Sequence, residues 1–219
     1  MLLIVALVLQ IGWHAMRSAP SINARDLPPV ASLDALRLVS FGDPWVSAKL
    51  VVLWLQAFDN QPGISLRFRD LDYQRVEGWL KRSLELDARA QYPLLAASHL
   101  YGAVSQEAKQ RQMLEFVYQQ FLLDPNRRWQ WLAHGAITAK HRLRDIDLAL
   151  KYARAITEHA TGEQVPNWAK HMSVAVLHDM GELEAASLLI YSLLESGVVT
   201  DPHEVWFLGQ KLEEMRVPP

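Results

Sequence analysis

Histidine is the residue type with the clearest potential for chemistry in this sequence. Five of the eight histidines fall on segments with a helical pattern. In two of these segments a pair is spaced by seven residues, which places both members on one helix face. Two turns separate such a pair by about 10 Å, too far for two ligands of one ion, and zinc needs about three protein ligands. The five residues are His99, His134, His141, His171 and His178.

A metal site would therefore need histidines from neighbouring helices to converge, for example His134 with His171. The favoured interpretation is that these histidines are polar positions that recur at a regular spacing. We predict that the chain binds no metal and no cofactor.

Other catalytic arrangements are missing from the sequence. The chain has no cysteine, which excludes disulfides, thiolate metal sites and cysteine nucleophiles. It has no Gly-x-Ser-x-Gly motif, no phosphate-binding glycine loop and no His-Glu-x-x-His motif. The 22 basic and 24 acidic residues give a net charge of -2, which argues against a dedicated nucleic-acid binder. We predict that the protein is not an enzyme and has no catalytic residues. A histidine-dependent metalloenzyme is the less favoured alternative.

Tryptophans precede two of the histidine pairs by three positions. Spacings of three and seven keep residues on one side of a helix, so each set predicts a stripe of ring side chains. We predict that the two stripes form a groove for a partner helix or peptide; the alternative is that the tryptophans are buried between helices. The stripes are Trp131, His134 and His141 in one helix and Trp168, His171 and His178 in the next.

One loop and one basic cluster are further candidates for partner contact. The segment 59–69 interrupts the helical pattern with a strong turn sequence, and Arg67 and Arg69 flank an aromatic residue within it. Loops on rigid scaffolds often carry binding residues. Arg67 and Arg69 are predicted to be exposed donors, either for a partner or for solvent. The same two interpretations apply to Arg127 and Arg128.

The elements that position these residues are predicted to be helices. Apolar residues recur at helical spacing from Ser32 onward, and strand-like alternation is confined to residues 64–68. Asp-Pro pairs and glycine clusters mark helix starts and ends. The sequence therefore predicts an all-α fold. After a short stretch at 32–39, helices are expected near 44–58, 70–86, 92–102, 105–123, 128–143, 145–159, 166–180, 182–196 and 202–212.

A shift of 37 residues superimposes several of these helices on the next ones, including Trp131 on Trp168. The matching residues resemble the tetratricopeptide repeat family. Gly181 to Ala186 looks like the family's turn into its B helix, Trp131-x-x-x-Gly135 fits its A helix, and Leu122 to Pro125 fits its unit end.

The resemblance covers residues 92–196 and carries clear implications. It implies an α-solenoid of helical hairpins, used as a protein-binding scaffold and without catalytic activity. In such a solenoid the A helices line the concave surface, where the two ring stripes would lie. The layout of the whole chain also resembles small membrane-anchored repeat proteins of proteobacteria.

The N-terminal residues 1–17 are predicted to be a membrane anchor or signal-anchor helix. The apolar run through Met16 would measure about 24 Å, against about 30 Å for a hydrocarbon core. A cleaved signal peptide and a buried or interfacial helix are the alternatives, but no clean cleavage site follows. Residues 18–31 are expected to be a linker and residues 32–217 the helical repeat domain.

The sequence thus predicts a single-pass protein of the bacterial inner membrane. The soluble domain is placed on the periplasmic side, with the cytoplasmic side as the alternative, because Arg17 and Arg25 follow the apolar run. Its predicted function is a protein-interaction scaffold, as an accessory or assembly factor for a membrane protein complex. The alternative within this class is a stably bound structural subunit of such a complex.

Overall fold

The computed structural model describes residues 2–16, 26–58, 60–61, 64–179, 183–195, 199 and 201–216. Across these ranges the chain is helical apart from two short strands, Asn60–Gln61 and Ile64–Ser65, which pair antiparallel. The prediction of an all-α fold is confirmed.

The described part of the chain contains twelve α-helices joined mostly by short connections. Three of the starts are capped by aspartate side chains that accept hydrogen bonds from backbone N–H groups: Asp43, Asp72 and Asp145. The helices are α1 Leu2–Met16, α2 Leu33–Val39, α3 Pro44–Ala57, α4 Tyr73–Leu86, α5 Tyr92–Leu95, α6 Glu107–Leu123, α7 Pro125–His141, α8 Ile146–His159, α9 Asn167–Lys170, α10 Met172–Asp179, α11 Leu183–Glu195 and α12 Pro202–Arg216.

Two helices that were predicted as continuous are interrupted. The segment expected at 92–102 is α5, followed by a π-helical turn at Ala96–Leu100 and a 3-10 turn at Tyr101–Ala103. The segment expected at 166–180 is divided into α9 and α10 at His171. These two segments were predicted to be equivalent A helices, and of the three predicted A helices only α7 is regular throughout.

Helices pack mainly on their neighbours in the sequence, with α3 against α4, α6 against α7, and α7 against α8. One buried cluster joins α3 and α4 to the segment 92–103 and to α6, and a second joins α6 through α11. A third, smaller cluster includes Ile190 of α11 and Leu208 of α12. The apolar core therefore runs along the chain in successive layers.

The segment that precedes α2 is fixed to α4. The Leu27 side chain is buried, with 1% of its surface exposed. The Arg75 guanidinium donates a hydrogen bond to the Leu27 carbonyl, and the Trp79 indole N–H donates to the Pro28 carbonyl over 3.1 Å. The C-terminal end of the segment expected to be a linker is therefore packed with the helices.

Membrane-spanning potential was assessed over the described residues by helix length and composition. No single helix there combines the length and the apolarity that crossing a bilayer requires. Taken together, α2 and α3 meet both requirements, but they are bent by 109° at their junction.

Candidate functional site

A cleft near the C-terminal end brings together the second predicted ring stripe. Trp168, His171 and His178 line one wall, which is formed by α9 and α10. The opposite wall is α12, which contributes Glu204 and Phe207. The cleft has a volume of about 440 Å³ and is lined mainly by apolar side chains. A partly open apolar cleft with a few polar groups is the usual form of a binding site.

The break between α9 and α10 shapes this cleft, and a side chain of α8 causes it. The Thr157 hydroxyl donates a hydrogen bond to the Lys170 carbonyl over 2.5 Å. The Val174 N–H, which would pair with that carbonyl in a continuous helix, bonds instead to the His171 carbonyl over 3.0 Å. Insertion of a side chain into the helical hydrogen-bond series is a known cause of kinks. The predicted continuous helix is therefore wrong at His171.

The imidazole of His171 forms the polar wall of the cleft together with Glu204. Its Nε2 lies 3.0 Å from the Glu204 Oε1 atom, and the two side chains are only 9% and 11% exposed. Burial lowers the pKa of His171 below its ordinary value of 6.5, although the Glu204 carboxylate acts in the opposite direction. The neutral imidazole is consequently the form expected at pH 7.

This protonation state defines which hydrogen-bonding atoms lack a partner. A neutral His171 that donates from Nε2 to Glu204 leaves Nδ1 as an acceptor. Neither His171 Nδ1 nor Glu204 Oε2 has a hydrogen-bond partner, and both atoms are buried. Buried polar atoms without partners are costly. The site thus offers two acceptors, which a hydrogen-bond donor would satisfy.

The first predicted ring stripe does not join the second in a single groove. The ring of His134 stacks on His99, with centroids 3.7 Å apart, and the ring of Trp131 meets His99 edge to face. The Trp131 indole N–H donates to the Gln91 amide oxygen over 2.6 Å. Burial, followed by the neighbouring His99, lowers the pKa of His134. Trp131 and His134 therefore belong to a contact between α7 and the segment 92–103.

A pair of tryptophans lies between the two ring clusters. The rings of Trp129 and Trp168 meet edge to face, with centroids 5.4 Å apart. Trp168 keeps 58% of its surface exposed, while Trp129 is half-buried. His141 is exposed at the last residue of α7 and does not line the cleft.

The predicted loop arginines lie outside this cleft. The Arg67 Nε atom lies 2.8 Å from a carboxylate oxygen of Asp70, and Arg69 approaches the other oxygen at 3.8 Å. The hydrogen bond from Arg67 is the largest cause of the lowered pKa of Asp70. The Arg69 carbonyl accepts a hydrogen bond from the Lys109 ammonium. Arg67 and Arg69 thus hold the loop together and keep exposed surface, at 66% and 43% of their side chains.

Arg128 differs from both interpretations of its basic cluster. It is 4% exposed and donates to the Gln120 and Ala88 carbonyls, over 2.6 and 2.9 Å. Burial lowers its pKa. Arg128 is therefore neither a solvent-facing nor a partner-facing residue, whereas its neighbour Arg127 is exposed and pairs with Asp124.

The residues of α12 were missed as site residues. Glu204, Phe207 and Lys211 all line the cleft, but the sequence analysis treated this helix only as the last element. A signal was present in the order of residue types, because Glu204, Leu208 and Lys211 recur at spacings of four and three on one helix face. That pattern identifies the face of α12, and it does not reveal which helix the face meets.

A metal site is not formed by the histidines. His134 has His99 as its neighbour and His171 has Glu204, so the cross-helix pair His134–His171 does not form. Within the ranges that the structure describes, no group of three histidine, aspartate or glutamate side chains converges as metal ligands.

Comparisons with known proteins complete this description. No protein-family model, curated protein or solved structure matches the chain. The resemblance to tetratricopeptide repeats therefore stays a prediction, and function must be argued from the chain's own contacts.

Proposed function

We propose that this chain is a membrane-anchored protein-interaction scaffold, built from tetratricopeptide-like helical hairpins, that acts as an accessory or assembly factor of a bacterial membrane protein complex. The observation that carries the proposal is the cleft between α10 and α12. It combines exposed rings, an apolar lining and a buried His171–Glu204 pair with two acceptors that lack partners.

The chemistry of the cleft defines the partner segment. Exposed Trp168 and Phe207, 58% and 52% exposed, offer large apolar surfaces of the kind that dominate binding energy at interfaces. The acceptor atoms of His171 and Glu204 are buried, so a donor reaches them when these side chains turn towards the cleft. We therefore infer a partner helix or peptide that places an apolar side chain and an N–H donor here.

The repeat architecture is supported by packing between successive helices. Helix α8 packs on α7 and α10, and α11 packs on α10 and α12. Small residues lie where these helices meet: Ala149, Ala153 and Ala186 are fully buried in the same cluster. Small side chains permit a close approach of helices, as stacked hairpins require.

Membrane attachment is proposed to reside in residues 1–17. The apolar side chains of α1 are exposed on all sides, for example Ile4 at 68%, Val8 at 63% and Trp13 at 64%. A helix with this composition is unfavourable in water. The proposed location is the inner membrane, with the helical domain on the periplasmic side.

A comparison of two neighbouring residues on α12 tests the scaffold proposal. Phe207 lines the cleft, whereas Trp206, equally exposed at 63%, does not. The tagged full-length chain is purified from its own membranes in mild detergent, as wild type, Phe207→Ala or Trp206→Ala, and the recovered proteins are quantified by mass spectrometry. We expect Phe207→Ala to lower recovery of a specific partner by more than about tenfold, with Trp206→Ala near wild type.

The other outcomes decide between the remaining functions. Equal recovery with Phe207→Ala and Trp206→Ala would contradict the assignment of the cleft. A partner that stays at a fixed one-to-one ratio through every purification step would assign the chain as a structural subunit. Stoichiometric zinc in the purified chain would instead support the metalloenzyme alternative.

A further inference from the structure

Helix α3 is apolar on both of its faces. Ala48, Val52 and Leu55 are buried against the rest of the domain, at 1% exposure or less. On the opposite face Leu50 and Leu53 are 58% and 55% exposed. A helix that is apolar all round normally lies inside a protein core or in contact with lipid. The outer face of α3 is covered by nothing in the described residues.

The turn before α3 extends this apolar surface with an aromatic ring. Phe41 is 95% exposed and has a backbone φ of 49°, and Gly42 follows with a φ of 88°. A bulky residue rarely adopts this left-handed conformation, because its Cβ approaches the following carbonyl. Strained backbone of this kind persists mostly at functional positions. The turn holds the Phe41 ring out from the domain.

Two tryptophans and one lysine border the same surface. Trp45 and Trp54 are 53% and 38% exposed, at opposite edges of the outer face. The Lys49 ammonium lies 3.5 Å from the centroid of the Trp45 ring. Tryptophan and the long side chain of lysine are the residues that proteins place at the level of lipid headgroups.

The surface also lies where the chain from α1 joins the domain. Pro28 and Pro29 line one cavity of about 450 Å³ together with Leu50 and Trp54. The ten peptide units from Met16 to Asp26 can extend over at most about 36 Å. A chain attached to a bilayer through α1 therefore holds this surface close to that bilayer.

We propose that the hairpin face, defined as Phe41, Val46, Leu50, Leu53 and Trp54, inserts into the boundary between headgroups and acyl chains of the same bilayer. The inference rests on the proposed membrane attachment through α1 and adds a second contact that fixes the orientation of the domain. Helix α3 lies in the plane of the interface, because its other face is packed against α4 and cannot be exposed to lipid without opening the core.

The absence of cysteine in the chain permits a direct test by single-site spin labelling. Leu53→Cys labels the hairpin face, Val8→Cys labels α1, and Glu158→Cys labels an exposed position on α8. The full-length variants are reconstituted in phosphatidylcholine vesicles. Electron paramagnetic resonance then measures collisions with oxygen, which concentrates in lipid, and with a water-soluble nickel chelate.

The expected result is high oxygen and low nickel accessibility at positions 8 and 53, with the reverse at position 158. A water-accessible label at 53 beside a lipid-exposed label at 8 overturns the hairpin proposal and leaves the anchor in place. A water-accessible label at 8 overturns the anchor itself. A label at 53 that is shielded from both reagents also overturns the proposal, because the face is then covered by protein, such as α1 or a second copy of the chain.

Partition into vesicles gives an independent measurement with a matched control. The full-length Leu50→Gln, Leu53→Gln variant removes two exposed apolar side chains from the hairpin face. The Leu123→Gln, Ile137→Gln variant removes two others, 74% and 50% exposed, from α6 and α7. We expect the first variant to bind phosphatidylcholine vesicles at least about tenfold more weakly than wild type, and the second to match wild type. Equal losses in both variants would overturn the proposal.

Discussion

Gly135 permits a prediction that goes against the role the repeat resemblance assigns to it. In the resemblance this glycine allows two helices to approach closely. In the structure an added Cβ atom would lie 3.5 Å from the Leu114 Cδ2 atom and 3.8 Å from Tyr152, which are ordinary van der Waals distances. Gly135 is also in the interior of α7. The Gly135→Ala substitution should therefore stabilise the protein.

The magnitude follows from two contributions. Alanine is favoured over glycine in a helix interior by about 1 kcal/mol, and burying one methyl group contributes up to about 0.8 kcal/mol. Gly135→Ala is thus expected to raise the free energy of unfolding by about 1–2 kcal/mol. For a chain of this size the melting temperature rises by roughly 2–8 °C.

Gly78 on α4 supplies the matched control with the opposite sign. A Cβ atom there would lie 2.5 Å from a methyl carbon of Val30, so the segment fixed to α4 must move. Displacing this segment also weakens the hydrogen bonds from Arg75 and Trp79. Overpacking costs typically 1–3 kcal/mol, so Gly78→Ala should be destabilising overall despite the same gain in helix propensity.

Thermal and urea unfolding of the full-length chain in mild detergent measure both variants. The reasoning predicts that Gly135→Ala melts above wild type and Gly78→Ala below it. If Gly135→Ala melts at or below wild type, the space beside α7 is not present, and the close approach implied by the repeat resemblance is the better description. If both variants are stabilised, Val30 does not pack on α4.

Three further predictions follow from buried polar groups. Burial lowers the pKa of His134 and His171, so the unfolded chain binds protons more strongly; stability should fall as pH drops below about 6.5, and the fall in melting temperature between pH 7.5 and 5.5 should be smaller in His171→Gln. Arg128→Met leaves two carbonyls without their donor and should cost about 2–4 kcal/mol in urea unfolding, where an unchanged midpoint would show that water replaces the guanidinium. Tyr73→Phe removes a buried 2.9 Å hydrogen bond to the Tyr101 carbonyl and should cost about 1–2 kcal/mol by the same assay, with no loss expected if that carbonyl finds another donor.

The parts of the fold that depend on nearby residues could be predicted from the sequence. Asp43 and Asp145 were expected to cap helices, and each accepts a hydrogen bond from a backbone N–H three residues later. The helical spacing of apolar residues likewise gave the approximate extent of α3, α6 and α8. These features arise within one or two turns of chain, where the pattern of residue types contains the necessary information.

The features that depend on distant residues could not be predicted. The kink at His171 arises because Thr157, 14 residues earlier, donates to the Lys170 carbonyl. The partner of His171 is Glu204 on α12, whose position relative to α10 is set by packing. Arg128 looked like a surface residue because arginine is rarely buried, and only the carbonyls of Gln120 and Ala88 explain its place. Tertiary contacts decide all three.

The two hydrogen bonds that fix Leu27 and Pro28 to α4 have a mechanical consequence. Tension applied to the chain ahead of Asp26 is transferred through these two carbonyls to the Arg75 and Trp79 side chains. The load therefore reaches α4, within the larger buried cluster, before it reaches α2. Helices α2 and α3 lie behind this clamp and carry no force until it opens. A pull on the N-terminal segment would thus leave the first hairpin in shape, and the clamp sets the force at which the domain begins to unravel.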